Sequence, residues 1–179
     1  MSMLKIPVSQ GDHIRGPAHA PITLVEYGDY ECPHCALAYP IVNQVETTFS
    51  GRMRFVFRHF PLSEVHPYAE TAAESAEFAG AAGMFWDMHD ALFENQSRLS
   101  IPTIFTIGAG LGLPQPAMRL ALETGQYKDK VRRDFMGGIR SGVNGTPAFF
   151  INGVRHDGPY DYASLVSGIQ MRLAAVASS

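Results

Sequence analysis

The sequence predicts an α/β fold: a β-α-β unit, a block of helices, then a helix, a β-hairpin and a closing helix. Three observations carry this reading. A short run rich in β-formers, Ile22 to Tyr27, hands over directly to a segment with helical spacing. From Pro67 to about Gly142 the apolar spacing is helical throughout. Asn152-Gly153 then stands between two extended runs, the strongest short hairpin signal in the chain.

Each element has its local reason. Residues 1–21 carry Pro7, Gly11, Gly16, Pro17 and Pro21 without a sustained period and are expected to form an irregular lead-in. Ile22 to Tyr27 lies between Pro21 and Gly28 and suits a strand buried on both faces. Tyr30 to Ser50 places Leu37, Ile41, Val45 and Phe49 four apart and ends at Gly51, with a kink expected at Pro40. Met53 to Phe60 alternates Arg54, Val56 and Arg58 with Met53, Phe55 and Phe57, and reads as a second strand parallel to the first. In the helical block an Ala-rich segment runs to Gly80, and Phe85, Met88, Leu92 and Phe93 mark the next helix. Thr103 is a candidate cap for a third, Met118 to Leu122 a short fourth, and Tyr127, Val131, Phe135 and Ile139 the stripe of a long fifth. Thr146 to Asn152 and Val154 to His156 form the hairpin, and Tyr162 to Ala175 the last helix, with Leu165 and Ile169 inward.

Composition narrows the function. The 179 residues, 46% hydrophobic and 17% charged, suit one globular domain and exclude extensive disorder. Fourteen Lys and Arg against 17 Asp and Glu give a net charge of −3, which offers no electrostatic footprint for nucleic acid. No apolar run is long enough to span a bilayer, so no membrane partner is expected. Without a secretory h-region the chain as written is expected to be cytoplasmic, or periplasmic if a leader has been trimmed.

The chemistry concentrates at Cys32-Pro33-His34-Cys35, where the first strand gives way to its helix. Two cysteines three apart in a first helical turn can close a disulfide without moving the backbone. Helix N-terminal amides, with the His34 imidazole beside them, favour a thiolate at an exposed Cys32, while Cys35 one turn deeper stays a thiol. Cys32 then attacks and Cys35 resolves the mixed disulfide. Two buried structural cysteines are the bland alternative. A zinc knuckle is another, but His34, Asp29 and Glu31 are its nearby ligand types and no second Cys-x-x-Cys exists.

With this motif on its strand-to-helix junction, the chain resembles the thioredoxin superfamily and, within it, the DsbA family. The resemblance covers nearly everything from Ile22 to Ala175 and implies a thioredoxin fold with a helical insertion between the β-α-β unit and the C-terminal hairpin and helix. It implies a core of residues 22–66 and 142–179 and an insertion of 67–141 within one domain spanning 1–179. It also implies a cis Thr146-Pro147 bond facing the dithiol, where the Thr146 backbone would meet an extended substrate peptide. Glu26 interrupts an apolar strand six residues before Cys32; the resemblance gives it a place beneath the dithiol, moving the Cys35 proton. Arg58 is a candidate partner for Glu26, and a carboxylate reaching solvent at the strand end is the alternative.

Other residues read as structural. His89 lies among Phe85, Trp86, Leu92 and Phe93 and is expected to be a hydrogen-bonded core histidine; His13, His19, His59, His66 and His156 show no metal spacing. Lys128, Lys130, Arg132 and Arg133, interrupted by Asp129 and Asp134, suit a solvated helix face. Tyr27, Tyr30, Tyr39 and Phe149 line a groove beside Cys32 or belong to the core. The expected function is thiol-disulfide exchange with protein or peptide thiols, or with glutathione, by a monomer without cofactor or metal. The catalytic set is Cys32, Pro33, His34, Cys35 and Glu26, with Thr146 and Pro147 binding substrate. The competing reading is a peptide-binding or chaperone-like module whose dithiol is not catalytic.

Overall fold

The computed structural model describes residues 2–178; Met1 and Ser179, the ends of the expected single domain, lie outside the described residues. Strands β1 (His13–Arg15), β2 (Ile22–Gly28), β3 (Met53–His59), β4 (Ala148–Ile151) and β5 (Val154–Arg155) form one sheet in the order β1-β3-β2-β4-β5. β2 and β3 run parallel, joined through helix α1 (Pro33–Thr48), and the remaining pairings are antiparallel. Between β3 and β4 lie α2 (Ala69–Ala81), α3 (Phe85–Glu94), a short 3-10 turn (Gln96–Arg98), α4 (Ile101–Gly110), α5 (Gln115–Glu123) and α6 (Lys128–Arg140). Helix α7 (Tyr162–Ala177) closes the chain. This is the thioredoxin fold with a helical insertion.

Strand parity decides which side chains reach the start of α1. On β2, Ile22, Leu24 and Glu26 share one face, and that face joins the cluster containing Cys35, Ala38, Val42 and Val45 of α1 and Leu165 and Ile169 of α7. Val25 and Tyr27 face the opposite side, where Val56, Phe60, Phe150 and the partly buried Phe135 of α6 cover them. The central strands β2, β3 and β4 are buried on both faces, as their near-continuous apolar sequences require, and the edge strands β1 and β5 are half-buried. At the hairpin, Asn152 and Gly153 take φ of 48° and 80°, the conformation that a tight two-residue turn needs.

Several expectations are corrected. The lead-in is not wholly irregular: β1 pairs with β3, and Arg58 holds the segment before it by donating to the Ile6 and Pro7 carbonyls and the Asp12 carboxylate. The α1 stripe is also displaced, since Leu37 is exposed and Cys35, Ala38, Val42 and Val45 are buried. An i, i+4 series drifts about 40° around a helix at each step, so a line drawn back from Phe49 has left the core by Leu37. Ile139 is exposed at the end of the α6 series for the same reason, where Asp134, Gly137 and Gly138 are buried instead. Ser100, not Thr103, caps α4: its Oγ accepts from the Thr103 N–H at 3.2 Å.

Candidate active site

Cys32 is the N-cap residue of α1, and Pro33 occupies the first helical position, where its missing N–H breaks no bond. The helix begins here, later than the apolar spacing suggests, because residues 29–32 form a turn of their own. The Cys32 N–H donates to the Asp29 carbonyl at 3.2 Å, and its carbonyl accepts the first helical bond from Ala36 at 3.1 Å. Gln96, in the 3-10 turn of the insertion, donates to that same carbonyl at 2.7 Å.

Both thiols are free and both are buried, Cys32 at 4% exposure and Cys35 at 0%. The exposed Cys32 expected from the sequence is thus corrected: the Thr146 carbonyl lies 3.5 Å from its sulfur. The Thr146–Pro147 peptide is cis. Thr146 Oγ1 is buried without a partner, which leaves it available to donate to a thiolate.

The two sulfurs are driven in opposite directions. The Cys32 thiol is pushed down to about 5, first by the Cys35 thiol donating to it and then by Thr146 and the Cys35 and His34 backbone N–H groups, against the opposing effect of burial. Burial pushes the Cys35 thiol well up, reinforced by its bond to Cys32 and by the charges of Glu26 and Cys32. The Asp29 N–H, donating to the Cys35 sulfur at 3.4 Å, works the other way. The expected role of the His34 imidazole is not what lowers Cys32. His34 is exposed, its Nδ1 is 2.8 Å from the Tyr160 hydroxyl, and what it gives to Cys32 is its backbone N–H.

Glu26 is buried at 3% exposure, and its Oε1 has no hydrogen-bond partner. The solvent-reaching alternative is excluded by that burial. Its carboxyl is pushed up to about 8 by burial first, then by the charges of Cys32 and Glu46, with Arg15 opposing. Arg58 is not its partner. The register pairs Arg58 with Tyr27 and Phe57 with Glu26, so Arg58 points to the other face of the sheet, where it donates to the Tyr27 hydroxyl at 3.0 Å and to Asp12. Gly28 keeps space beside Glu26, since a Cβ there would stand 2.5 Å from the Phe57 ring and 3.1 Å from Glu26 Oε1.

The structure also gathers residues the sequence left scattered. His13 and His59 both reach Glu77, at 2.9 and 2.7 Å, and Asp134 accepts from the His59 N–H. His59, Glu77 and Asp134 bring one ligand atom each within 4.8 Å of one another. A cation already stands there: Lys130 Nζ is 2.7 Å from both Asp134 oxygens and 3.9 Å from Glu77. Lys130 thus turns inward, unlike the exposed Lys128, Arg132 and Arg133. His89 is buried, with Nδ1 3.0 Å from the Tyr30 hydroxyl, and burial holds its pKa well below the ordinary range, so the neutral ring accepts that proton. Tyr27, Tyr30 and Phe149 are core residues and only Tyr39 remains half-buried.

Asp29 and Glu31, which the sequence offers only as ligand types for a zinc alternative, and Gln96 lie outside the expected catalytic set. Asp29 carried one local signal, an aspartate two residues before a possible turn amide, and its Oδ1 does accept from the Glu31 N–H at 2.8 Å. Gln96 lies 64 residues from Cys32 and had none.

Comparison with known proteins agrees with this geometry. A family model described as Thioredoxin matches residues 8–171. Among curated proteins, the chain is 42% identical over 172 residues to Na(+)/H(+) antiporter NhaA 1 of Salinispora arenicola, covering 96% of this chain and 26% of that protein. It is 43% identical over 155 residues to Na(+)/H(+) antiporter NhaA of Nitrosospira multiformis, covering 86% and 25%. The chain therefore spans about a quarter of the length of the curated relatives it matches, and no helix among its described residues is long and apolar enough to cross a membrane. Of solved structures, oxidised BdbD from Bacillus subtilis superposes with a TM-score of 0.86 at 22% identity, covering 97% of this chain and 98% of that one. Alpha-DsbA1 of Wolbachia pipientis superposes with a TM-score of 0.82 at 23% identity, covering 98% and 96%. The chain belongs to the thioredoxin family, in the DsbA-like form of its fold.

Proposed function

We propose that the chain is a thiol-disulfide oxidoreductase acting on protein or peptide thiols and disulfides, with glutathione as a small-thiol partner. It would work as a single-domain monomer without bound cofactor. The observation that carries this is the placement of the two thiols, Cys32 at the N-cap of α1 beside Thr146 and Cys35 fully buried beneath it, which pushes Cys32 down to about 5 and Cys35 well up. A thiolate that is nucleophilic at neutral pH beside a thiol that is not defines an order of events. The Cys32 thiolate attacks a substrate disulfide, forms a mixed disulfide and expels one substrate sulfur as a thiolate. Cys35 then loses its proton, attacks the Cys32 sulfur and expels the second. The substrate disulfide is reduced and the protein dithiol oxidised; the reverse sequence oxidises a substrate dithiol.

Glu26 fits the second step as proton acceptor. The Cys32 charge helps hold Glu26 protonated, and that charge vanishes once Cys32 is bonded to substrate. The carboxyl then becomes easier to ionise at the moment Cys35 must give up a proton. The Thr146 carbonyl lies against the Cys32 sulfur, and the loop of Thr146 and Pro147 would take an extended peptide. Stabilising the Cys32 thiolate also stabilises the dithiol over the disulfide, which makes the pair an oxidant.

Non-reducing gels of two variants test the reading. Cys35→Ser is expected to accumulate mixed disulfides and Cys32→Ser to form none. Equal adducts from both would overturn the ordered mechanism. A Cys32→Ser protein that keeps its activity would return the chain to a peptide-binding module with a passive dithiol.

A further inference from the structure

The turn before the dithiol is held at several points by the connection from β3 to the start of α2. Asp29 is 1% exposed, and its carboxylate accepts three hydrogen bonds: Glu31 N–H on Oδ1 at 2.8 Å, and Leu62 N–H and His66 Nδ1 on Oδ2 at 2.8 and 2.7 Å. Glu31 Oε2 accepts from the Tyr68 N–H at 2.7 Å, where α2 begins. The Asp29 main chain meets both cysteines, its carbonyl accepting from the Cys32 N–H and its own N–H donating to the Cys35 sulfur.

We propose that Asp29 is a positioning residue for the resolving thiol: its buried carboxylate fastens residues 29–32 to the β3–α2 connection and so aims the Asp29 N–H at the Cys35 sulfur. This rests on the thiol-disulfide reading above. In the resolving step the Cys35 thiol gives its proton to Glu26, its sulfur bonds to the Cys32 sulfur, and the bond from Cys32 to the substrate sulfur breaks. The substrate leaves as a thiolate and takes a proton from water. Negative charge passes through the Cys35 sulfur during that step, and a backbone N–H already directed there stabilises it more than the neutral thiol. The first attack, by Cys32, meets this N–H only indirectly, because Cys32 draws first on the Cys35 thiol and then on Thr146 and the amides of residues 34 and 35. Asp29 therefore weighs unequally on the two half-steps: directly on resolution, and on attack only through Cys35.

A chromogenic aromatic disulfide, 5,5′-dithiobis(2-nitrobenzoate), reads the half-steps separately. Attack by Cys32 releases one coloured thiolate and resolution by Cys35 releases the second. Asp29→Asn keeps the size of the side chain but sets an amide NH2 against one of three N–H donors, opening the turn. It is expected to leave the first phase within about twofold and slow the second by about tenfold. His66→Ala removes one donor, leaves the Leu62 and Glu31 bonds in place, and is expected to slow the second phase by about threefold. A second phase within twofold of wild type in both variants overturns the proposal, as does equal slowing of both phases. Wild-type protein that releases only one equivalent overturns the exchange reading itself, and this proposal with it.

Discussion

Replacing Glu26 by Gln isolates a buried carboxyl whose proton the site holds well above its ordinary range. Its carboxyl moves from an ordinary 4.5 to about 8 on folding. Across that window the folded chain holds a proton that the unfolded chain has released. Stability therefore falls as pH rises from about 4.5 and levels off above about 8. At about 1.36 kcal/mol per pH unit, the whole window corresponds to on the order of 5 kcal/mol, of which on the order of 3 has been lost by pH 7. Gln mimics the protonated acid and does not titrate. Its NH2 meets a buried position where Oε1 finds no partner, but that cost is the same at every pH and only offsets the difference between the two profiles, leaving its change with pH untouched.

Urea unfolding of reduced wild type and Glu26→Gln at pH 5, 7 and 8.5 makes the comparison. The stability of the variant relative to wild type should rise by on the order of 3 to 4 kcal/mol between pH 5 and 8.5. The Cys32 thiol titrates in both proteins and drops out. The disulfide forms should differ less, because no Cys32 thiolate then raises Glu26. Profiles that stay parallel within about 1 kcal/mol would show that Glu26 does not titrate in this range. A variant that exchanges disulfides at the wild-type rate from pH 6 to 8 would remove it from the proton transfer as well.

Two further outcomes are expected. Alkylation of the reduced protein should modify Cys32 first, with a midpoint near 5, and His34→Ala should leave that midpoint within about half a unit because it keeps the N–H that Cys32 uses; a midpoint near the free-thiol value of about 8.5, or Cys35 labelled first, contradicts the assignment. Equilibration with glutathione buffers should give the Cys32–Cys35 pair a potential less negative than the roughly −270 mV of thioredoxin, and a more negative value would show that the stabilised thiolate does not control the couple.

How much of this was legible in the sequence depended on the range of the interaction involved. The β2-to-α1 junction and the Asn152-Gly153 hairpin are specified by residues adjacent in the chain, and both stand where the local pattern puts them. Parallel pairing of β2 with β3 followed from the helix between them. The partner of Glu26 did not follow. Both strands are short and buried on both faces, so apolar pattern alone does not fix parity, and a shift of one residue exchanges Phe57 for Arg58 opposite Glu26. The convergence of His13 and His59 on Glu77 joins residues 64 and 18 apart, a distance at which no spacing rule operates. The origin of the Cys32 shift is hidden from the sequence for another reason. Sequence adjacency placed an imidazole beside the thiol, whereas helical geometry turns the His34 ring outward to Tyr160 and leaves its N–H pointing at the sulfur.

Two acidic residues three apart, Glu26 and Asp29, arrive at the same thiol with opposite surroundings, and the difference follows from where β2 ends. Glu26 still belongs to the strand, so parity sends its side chain under α1 into an apolar layer that supplies no donor to Oε1. Asp29 lies just past the strand, where the backbone turns toward α1 and amides no longer engaged in the ladder are available; three donors converge on its carboxylate. A carboxyl without donors in an apolar layer has its proton affinity raised towards neutrality, which is the property a proton acceptor for a thiol requires. A carboxylate saturated with donors has little freedom to move and serves to hold the turn. Moving the carboxyl of Glu26 by one position would turn it to the opposite face of the sheet, where Arg58 donates to Tyr27, and would take it away from Cys35.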